Sequence, residues 1–438
     1  MFVRKMNGET KSRLNNTRYL AGIIAALIAI GTANVYSSTF VLDSANGTLF
    51  GYLGKQVAFC FIGALFSWFL WRLGVAFLRR WCGTIVAVSV VLLVLVKVAG
   101  TVVNGARRWL GYGAFTFQPS EVAKFAAVIL MAAGLALLLE NGHNVTLLQR
   151  PFSDPLYREW GSQHHIKEES FLGRFFSKVL GRLILPNVVF WIPFLLAGLV
   201  LLQPDMGTAI IILLAPLLMF LCSGAEISKH EWIGIGVLVA LGIVVMAVFG
   251  HAYQQNRIMA WLDAWEYSDN IGYQITQSLI AIGSGGFWGQ GMGTGVSKFN
   301  YLPEAHTDFA FAVIAQETGM IGGLIVIALF VLLLHFGART ANQCRDNLFN
   351  MFLAMGISFY LCGQAFINIA MVMRGLPVVG VPLPFISYGG SSLIINMAAA
   401  VTLIHISYDN YRDAARRHAA GPQRPVWTIQ EERPQRPR

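Results

Sequence analysis

Residues 301–335 read YLPEAHTDFAFAVIAQETGMIGGLIVIALFVLLLH. After Asp308 the run carries one charged residue, Glu317, before it reaches His335. A bilayer core takes about 20 apolar residues of helix, so 308–335 is long enough to cross one. Ahead of it stand Glu304, His306 and Asp308, within five positions. The fold follows from how often the apolar pattern recurs, and the chemistry from which side of a membrane the polar cluster faces.

The pattern recurs at 19–38, 52–71, 82–99, 120–139, 187–203, 206–223, 232–250, 349–371 and 389–407. With 308–335 this gives about ten transmembrane helices and an all-α polytopic membrane protein. The composition agrees: 55% of residues are hydrophobic and 12% charged, with mean hydropathy +0.58, against about 25% charged in soluble domains. The short alternating segments of an outer-membrane barrel are absent. The basic start before Tyr19 resembles a signal peptide, but the run that follows is long and has no small-residue cleavage site, so it is read as a retained helix. Five scattered cysteines without a CxxC pair exclude a zinc site or disulfide framework.

An even number of spans puts both termini on one side. Of the 32 Lys and Arg, 24 fall on that side: in 1–18, 72–80, 140–185, at Lys229, in 337–347 and in the tail. Positive charge marks the cytoplasmic side, so both termini are expected there. This asymmetry accounts for the net charge of +10 without nucleic acid. The expected organisation is a cytoplasmic N-terminal segment 1–18, a membrane domain 19–407 and a cytoplasmic, disordered tail 408–438. Loop 140–185 is cytoplasmic and includes an amphipathic stretch, ESFLGRFFSKVLGRLIL, suited to the interface. Segments 100–119, 251–307 and 372–388 face outward. No internal repeat of the transporter kind is visible.

The outer segments hold the polar chemistry. Segment 101–124, TVVNGARRWLGYGAFTFQPSEVAK, reads as a Gly-bearing loop with Arg107, Arg108 and Trp109; Pro119 marks a boundary and Ser120 is the expected cap of the next helix. Glu121 and Lys124 share a face of that helix. They are either an ion pair near the interface or part of a wet site. In LLQPDMGTAI (201–210), Pro204 and Gly207 are expected to form a tight turn, with Asp205 capping the next helix. The long segment 251–307 has eight glycines between 272 and 295 and no nucleotide-binding fingerprint. Its SLIAIG piece suits the interface. Thr307 or Asp308 is a candidate cap for the span that follows, which leaves Glu304, His306, Arg257 and Lys298 to be explained. Gln316 and Glu317, deeper in that span, are expected to pair with neighbouring helices. Segment 373–392, MRGLPVVGVPLPFISYGGSS, carries Arg374 and a helix start of Gly389, Gly390, Ser391 and Ser392, read either as a close-packing surface or as free N–H groups for an anion. Outward carboxylates, cations and aromatic residues fit an anionic lipid headgroup. They do not separate reacting with such a lipid from moving it.

Five of these stretches, GARRWL…FQPSEVAK, QPDMGTA, GYQITQSLIAIGSGG, YLPEAHTDFAFAVIAQETG and GLPVVGVPLPFISYGGSS, occur in the order found in the SEDS proteins of shape, elongation, division and sporulation. The chain resembles that family, with RodA, FtsW and SpoVE as named members, and its division and sporulation branch more than its elongation branch. Loop 140–185 and the tail fall outside the likeness. The resemblance implies a peptidoglycan glycosyltransferase that polymerises lipid II into glycan strands at the outer face of the bacterial cytoplasmic membrane, for cell division or cell shape. It also implies a divalent cation, Mg or Mn, with ligands unknown, and a class B penicillin-binding protein as partner. The family's essential aspartate falls on Asp308, its helix-four pair on Glu121 and Lys124, and its outer-loop tryptophan on Trp109. Glu304 and His306 join them as candidate substrate-binding residues. Arg107, Arg108, Arg257, Lys298 and Arg374 are unranked candidates for holding pyrophosphate. A lipid II flippase and a non-enzymatic scaffold are the competing readings. A flippase predicts a polar path across the whole membrane, whereas here the inner halves of the spans carry little charge and the polar groups of the candidate site gather outside.

Overall fold

A computed structural model describes residues 8–48, 50–103, 106–112, 115–141, 186–224, 252–299 and 301–420. Nine of the ten expected spans coincide with apolar helices: α1 (Gly8–Ala45), α2 (Gly51–Leu73), α4 (Cys82–Ala99), α5 (Pro119–Glu140), α6 (Pro186–Leu201), α7 (Met206–Cys222), α10 (Ala310–Gln343), α11 (Leu348–Val372) and α12 (Gly390–Ala420). Among the described residues, seven are long and apolar enough to cross a bilayer, and α6 and α7 are shorter. The chain is a multi-pass membrane protein. The expected span 232–250, loop 142–185 and the tail from 421 lie outside the described residues. A short α3 (Val75–Arg80) links α2 to α4.

Helices α5 and α11 form the centre. α5 is rich in Ala and Leu and buried on nearly every face, as expected of a helix apolar all round. It packs against α11, α4, α7 and α6; α11 packs in turn on α10 and α7, and α12 closes against α2 and α1. Helices α2 and α4 present large apolar side chains such as Phe61, Leu65, Val91 and Val98 outward, a surface suited to lipid.

The two ends of the bundle differ. At one end the start of α1 meets the ends of α10 and α12: Arg339 donates to Ser12 Oγ (2.6 Å) and Asn16 Nδ2 to Thr340 Oγ1 (2.8 Å), while Thr17 and Ser407 share a hydrogen bond (2.8 Å). At the other end of α1, about 45 Å away at 1.5 Å per residue, Asp43 accepts from Tyr52 N at the start of α2 (3.1 Å). The polar segments described below all gather at this second end.

Segment 100–119 departs from the expected loop. It forms an antiparallel sheet of β1 (Thr101–Val103), β2 (Ala106–Tyr112) and β3 (Phe115–Phe117), with Trp109 opposite Thr101 and Leu110 opposite Phe117. The β-branched and aromatic residues TVV and FTF favour strands, but the glycines between them conceal the pattern. α5 starts with Pro119 in its first turn after Gln118, so Ser120 is inside the helix and not its cap.

Segment 252–309 holds α8 (Ala252–Leu262), α9 (Tyr273–Gly285) and a 3-10 turn (Val296–Lys298). α9 packs on α10. α10 is broken at Gly319, at φ 69°, a left-handed conformation that suits glycine. Loop 286–291 enters this break and satisfies the freed backbone groups. Gln290 N donates to Gln316 O (3.0 Å), Gly291 N to Glu317 O (3.0 Å) and Met320 N to Gly286 O (2.9 Å). Such repair is what permits broken backbone inside a membrane bundle. The piece Ala310–Glu317 is buried, whereas Met320, Leu324, Ile325 and Val331 are exposed.

Two glycines make the junction possible. A Cβ on Gly289, itself at φ 86°, would lie 2.2 Å from Glu317 O, and one on Gly319 would lie 2.3 Å from Gly289 N. Gly289→Ala is expected to cost about 3 kcal/mol and to lower the unfolding temperature in detergent. Gly283→Ala, in α9 with nothing near its missing Cβ, is expected to leave that temperature unchanged or raise it slightly.

Candidate functional site

Asp308 sits two residues ahead of α10 in the turn 301–309. Neither it nor Thr307 caps the helix: Phe309 holds that position without a side-chain bond, and Phe309 N donates back to Glu304 O (3.2 Å). The carboxyl of Asp308 is thereby left available. Its Oδ2 lies over Gly380, 3.3 Å from where a Cβ there would be, and Arg257 Nη1 lies 3.8 Å from the same point. The missing side chain lets the two groups approach. Arg257, on α8, also donates to Val378 O (2.8 Å).

Burial raises the Asp308 pKa to about 7. The Glu304 carboxylate adds to the rise, Arg257 opposes it, Asp205 raises it further, and Arg108 lowers it. A carboxyl that titrates near neutrality can both take and release a proton at working pH. Glu304 is exposed, and its Oε2 accepts from Thr307 Oγ1 (2.7 Å). His306 is half-buried, and burial lowers its pKa against the opposing pull of Glu304.

Each basic candidate has a distinct environment. Arg108 reaches from β2 to the α6–α7 turn, donating to Gln203 O (3.0 Å) and to Pro204 O. Arg107 is exposed and donates to Val98 O (3.3 Å). Lys298 is 5% exposed, bonded to Gly293 O and paired with Glu317 (3.3 Å), whose carboxylate also accepts from Ser37 on α1 (2.6 Å). Arg374 donates to the last carbonyls of α8, Trp261 O (3.0 Å) and Leu262 O (2.7 Å), and its own carbonyl accepts from Trp261 Nε1 (3.0 Å). Both Lys298 and Arg374 therefore lock loops in place, away from Asp308, whose charged neighbours are Glu304, Arg257, Asp205 and Arg108. Trp109 is half-buried in β2, its carbonyl accepting from Thr101 Oγ1 (3.2 Å).

Glu121 and Lys124 form a closed pair inside the bundle, 2.8 Å apart and each 1% exposed. Lys124 also donates to Gln364 Oε1 on α11 (2.8 Å) and lies 5.5 Å from the Tyr360 ring centroid. The pair connects to Asp308 through α11. Gln364 Nε2 donates to Pro382 O (2.8 Å), and one turn later Asn368 Nδ2 donates to Val381 O (2.6 Å) and to the carbonyl of Asp308 itself (2.7 Å). Gln364 and Asn368 went unnoticed in the sequence. Their signal is a pair of amides four residues apart in an otherwise apolar span.

Asp205 caps α7 as expected, accepting from Thr208 N (3.2 Å) and Thr208 Oγ1 (2.9 Å); Gln118 Nε2 adds a third bond (3.2 Å). Gly207 has a different role from the turn expected of it. It lies in α7, where its missing Cβ admits the 379–381 backbone, with Val379 O 2.5 Å from the Cβ position. At the start of α12, Gly390 packs on the Phe59 ring and Ser391 Oγ accepts from Gln118 N (3.1 Å), so this end serves packing. Gln316 and Glu317 do pair outside their helix, Gln316 with Ser284 (3.1 Å) and Ser297.

The whole site is thus a convergence of β2, the α6–α7 turn, α8, the 301–309 turn and the 376–388 segment, anchored on α11 and built at the end opposite the Ser12–Arg339 contact. Comparison with known proteins identifies the family. The profile of the FtsW, RodA and SpoVE family, described as cell cycle protein, matches residues 18–412. A probable peptidoglycan glycosyltransferase FtsW of Coxiella burnetii is 34% identical over 88% of this chain and 94% of its own. Stage V sporulation protein E of Bacillus subtilis is 34% identical over 89% and 96%. A chain of a peptidoglycan synthase complex, solved in work on the coordination of polymerization and crosslinking, superposes with TM-score 0.66 at 26% identity, covering 90% of this chain and 98% of that one. Thermus thermophilus RodA shares the fold, with TM-score 0.57 at 24% identity over 90% and 96%. The chain belongs to the FtsW, RodA and SpoVE family, within the SEDS proteins.

Proposed function

We propose that this chain is a peptidoglycan glycosyltransferase that polymerises lipid II at the outer face of the cytoplasmic membrane, with both termini inside. The observation that carries the reading is the Asp308 carboxyl, buried beside Arg257 with Glu304 close by, raised by burial to titrate near neutrality and held through its backbone carbonyl by Asn368. Asp308 accepts the proton of the acceptor sugar's 4-hydroxyl. The oxygen attacks the anomeric carbon of the lipid-linked donor, a β-1,4 bond forms with inversion, and the bond to lipid pyrophosphate breaks. Arg257 stands first among the basic residues to balance the charge on the leaving group, because it lies beside Asp308; Arg108 contributes through its field.

Asp308 and Glu304 also suit a hard divalent cation, since the Glu304 carboxylate that raises the proton affinity of Asp308 equally favours an added positive charge there. Among the described residues no three ligating side chains form a closed cage. That fits Mg2+ or Mn2+ held by one or two carboxylates and by substrate phosphates. When bound, the ion supplies charge neutralisation at the pyrophosphate. By likeness to the synthase complex, the partner is a class B penicillin-binding protein that cross-links the strands.

The test is purified full-length chain with that partner, given lipid II and divalent cation. Strands of β-1,4-linked disaccharides are the expected product. Movement of labelled lipid II between leaflets without any polymer would sink this reading in favour of a flippase. The closed, buried pairs Glu121–Lys124 and Lys298–Glu317 argue against an open polar path through the described bundle.

A further inference from the structure

Three aromatic side chains from three separate segments meet beside the Asp308 turn. Tyr52 stands at the start of α2, His306 lies two residues before Asp308, and Tyr388 ends the 376–388 segment. Their ring centroids are 5.4 Å (Tyr52–His306), 5.1 Å (Tyr52–Tyr388) and 5.9 Å (His306–Tyr388) apart. The ring planes meet at 68°, 69° and 51°, so no ring covers another face to face. All three residues are half-buried, and exposed Lys55 places its ammonium 5.3 Å from the Tyr52 ring centroid.

The backbone fixes this cluster on both sides. Tyr388 N donates to His306 O (2.8 Å), and Tyr52 N donates to both oxygens of buried Asp43 (3.2 and 3.1 Å). The polar tips, in contrast, are unused. Among the described residues, neither phenol hydroxyl and neither imidazole nitrogen hydrogen-bonds to protein. Three polar tips that take no protein partner at a partly open surface are free to meet a ligand. Burial keeps the Tyr388 hydroxyl protonated, with its pKa raised to about 12, so it stays a neutral donor. Rigid rings with free hydroxyl and imidazole groups are what a pyranose requires: its C–H faces lie on aromatic surface, and its hydroxyls take the polar tips.

We propose that Tyr52, His306 and Tyr388 form a saccharide subsite beside the Asp308 turn that holds the glycan strand already made. This rests on the glycosyltransferase reading above. Lipid pyrophosphate then belongs with Arg257, and sugar rings with the aromatic cluster. Lys55 stands where it can meet carboxylates carried by the strand. The first coupling joins two lipid II molecules, one as donor and one as acceptor, and engages the subsite least. Each later coupling has a longer strand to retain, so the subsite governs elongation.

The experiment uses full-length chain with its partner and lipid II, and measures first coupling (lipid-linked tetrasaccharide) and strand length separately. Tyr52→Ala and Tyr388→Ala should lower the ratio of elongation to first coupling at least about 5-fold, the scale of one lost aromatic contact. A lipid-free β-1,4-linked tetrasaccharide of the same disaccharide should inhibit elongation by the wild type, with an inhibition constant at least about 5-fold higher in both variants. Tyr52→Phe and Tyr388→Phe keep the rings and guard against a folding defect; their ratios should fall about 2-fold, through the lost hydroxyl alone. Equal losses of first coupling and elongation, or an unchanged ratio in both Ala variants, overturn the subsite. Wild type that makes strands while the variants match it refutes only this inference; wild type that makes none refutes the glycosyltransferase reading and this inference with it.

Discussion

Asp308→Asn should abolish strand formation, lowering the polymerisation rate by roughly 10²–10⁴-fold, the range contributed by a positioned general base. Asparagine keeps the shape of the side chain and the backbone bond from Asn368, which uses the Asp308 carbonyl. What it removes is the ability to take a proton. In the wild type, kcat/KM should rise with pH and reach half its maximum near pH 7, where the carboxyl loses its proton. Asp308→Asn should leave a flat profile over the same window.

Stability should move the other way. The folded-state pKa of about 7 is raised above the ordinary carboxylate value, so the folded chain holds a proton that the unfolded chain releases between about pH 4 and 7. Stability is therefore lost as pH climbs through 7, and the deficit is complete above it. Removing the titrating group should make Asp308→Asn more stable than wild type at pH 8, by roughly 1–3 kcal/mol after allowance for partial exposure. Thermal unfolding in detergent at pH 5 and pH 8 checks this. A variant that is inactive and also less stable at pH 8 would show a structural role for Asp308 in place of a catalytic one.

Lys124→Met should be the most damaging single change to the bundle. Its ammonium is 1% exposed and answers Glu121, Gln364 and the face of Tyr360. Glu121 Oε2 has no hydrogen-bond partner even with Lys124 present. Removing the cation strands a carboxylate in the apolar centre, at a cost of about 3–5 kcal/mol. Converting the partner as well, Glu121→Gln with Lys124→Met, should recover most of that loss, because a neutral buried pair carries no uncompensated charge. Yield of folded protein and unfolding temperature report both. If the double variant unfolds as readily as Lys124→Met alone, the cost lies in packing and not in charge.

The amount of this that was legible in the sequence depends on how local each signal is. Nine expected spans coincide with helices because membrane crossing is decided by apolar length, a property of one segment alone. The gathering of Lys and Arg in particular loops is likewise a sum over short stretches of the chain. The acid ahead of α10 was visible for the same reason: Glu304, His306 and Asp308 lie side by side in the chain.

Partner choice was not local and could not be read. Arg257, Lys298 and Arg374 look alike as letters, yet one stands beside Asp308, one is closed on Glu317, and one clamps the end of α8. The break in α10 needs Gly289 and Gly319 to meet across thirty positions, and the tie from Glu121 to Asp308 runs through Gln364 and Asn368 on a helix that carries no charge of its own. The sequence alone determined a bundle of membrane spans with its charges held in the connecting segments, because burial of apolar length and placement of charge are additive along a chain. The tertiary structure alone decided which of those charges remain for chemistry, because a hydrogen bond or ion pair exists only when two distant segments are brought within about 3 Å.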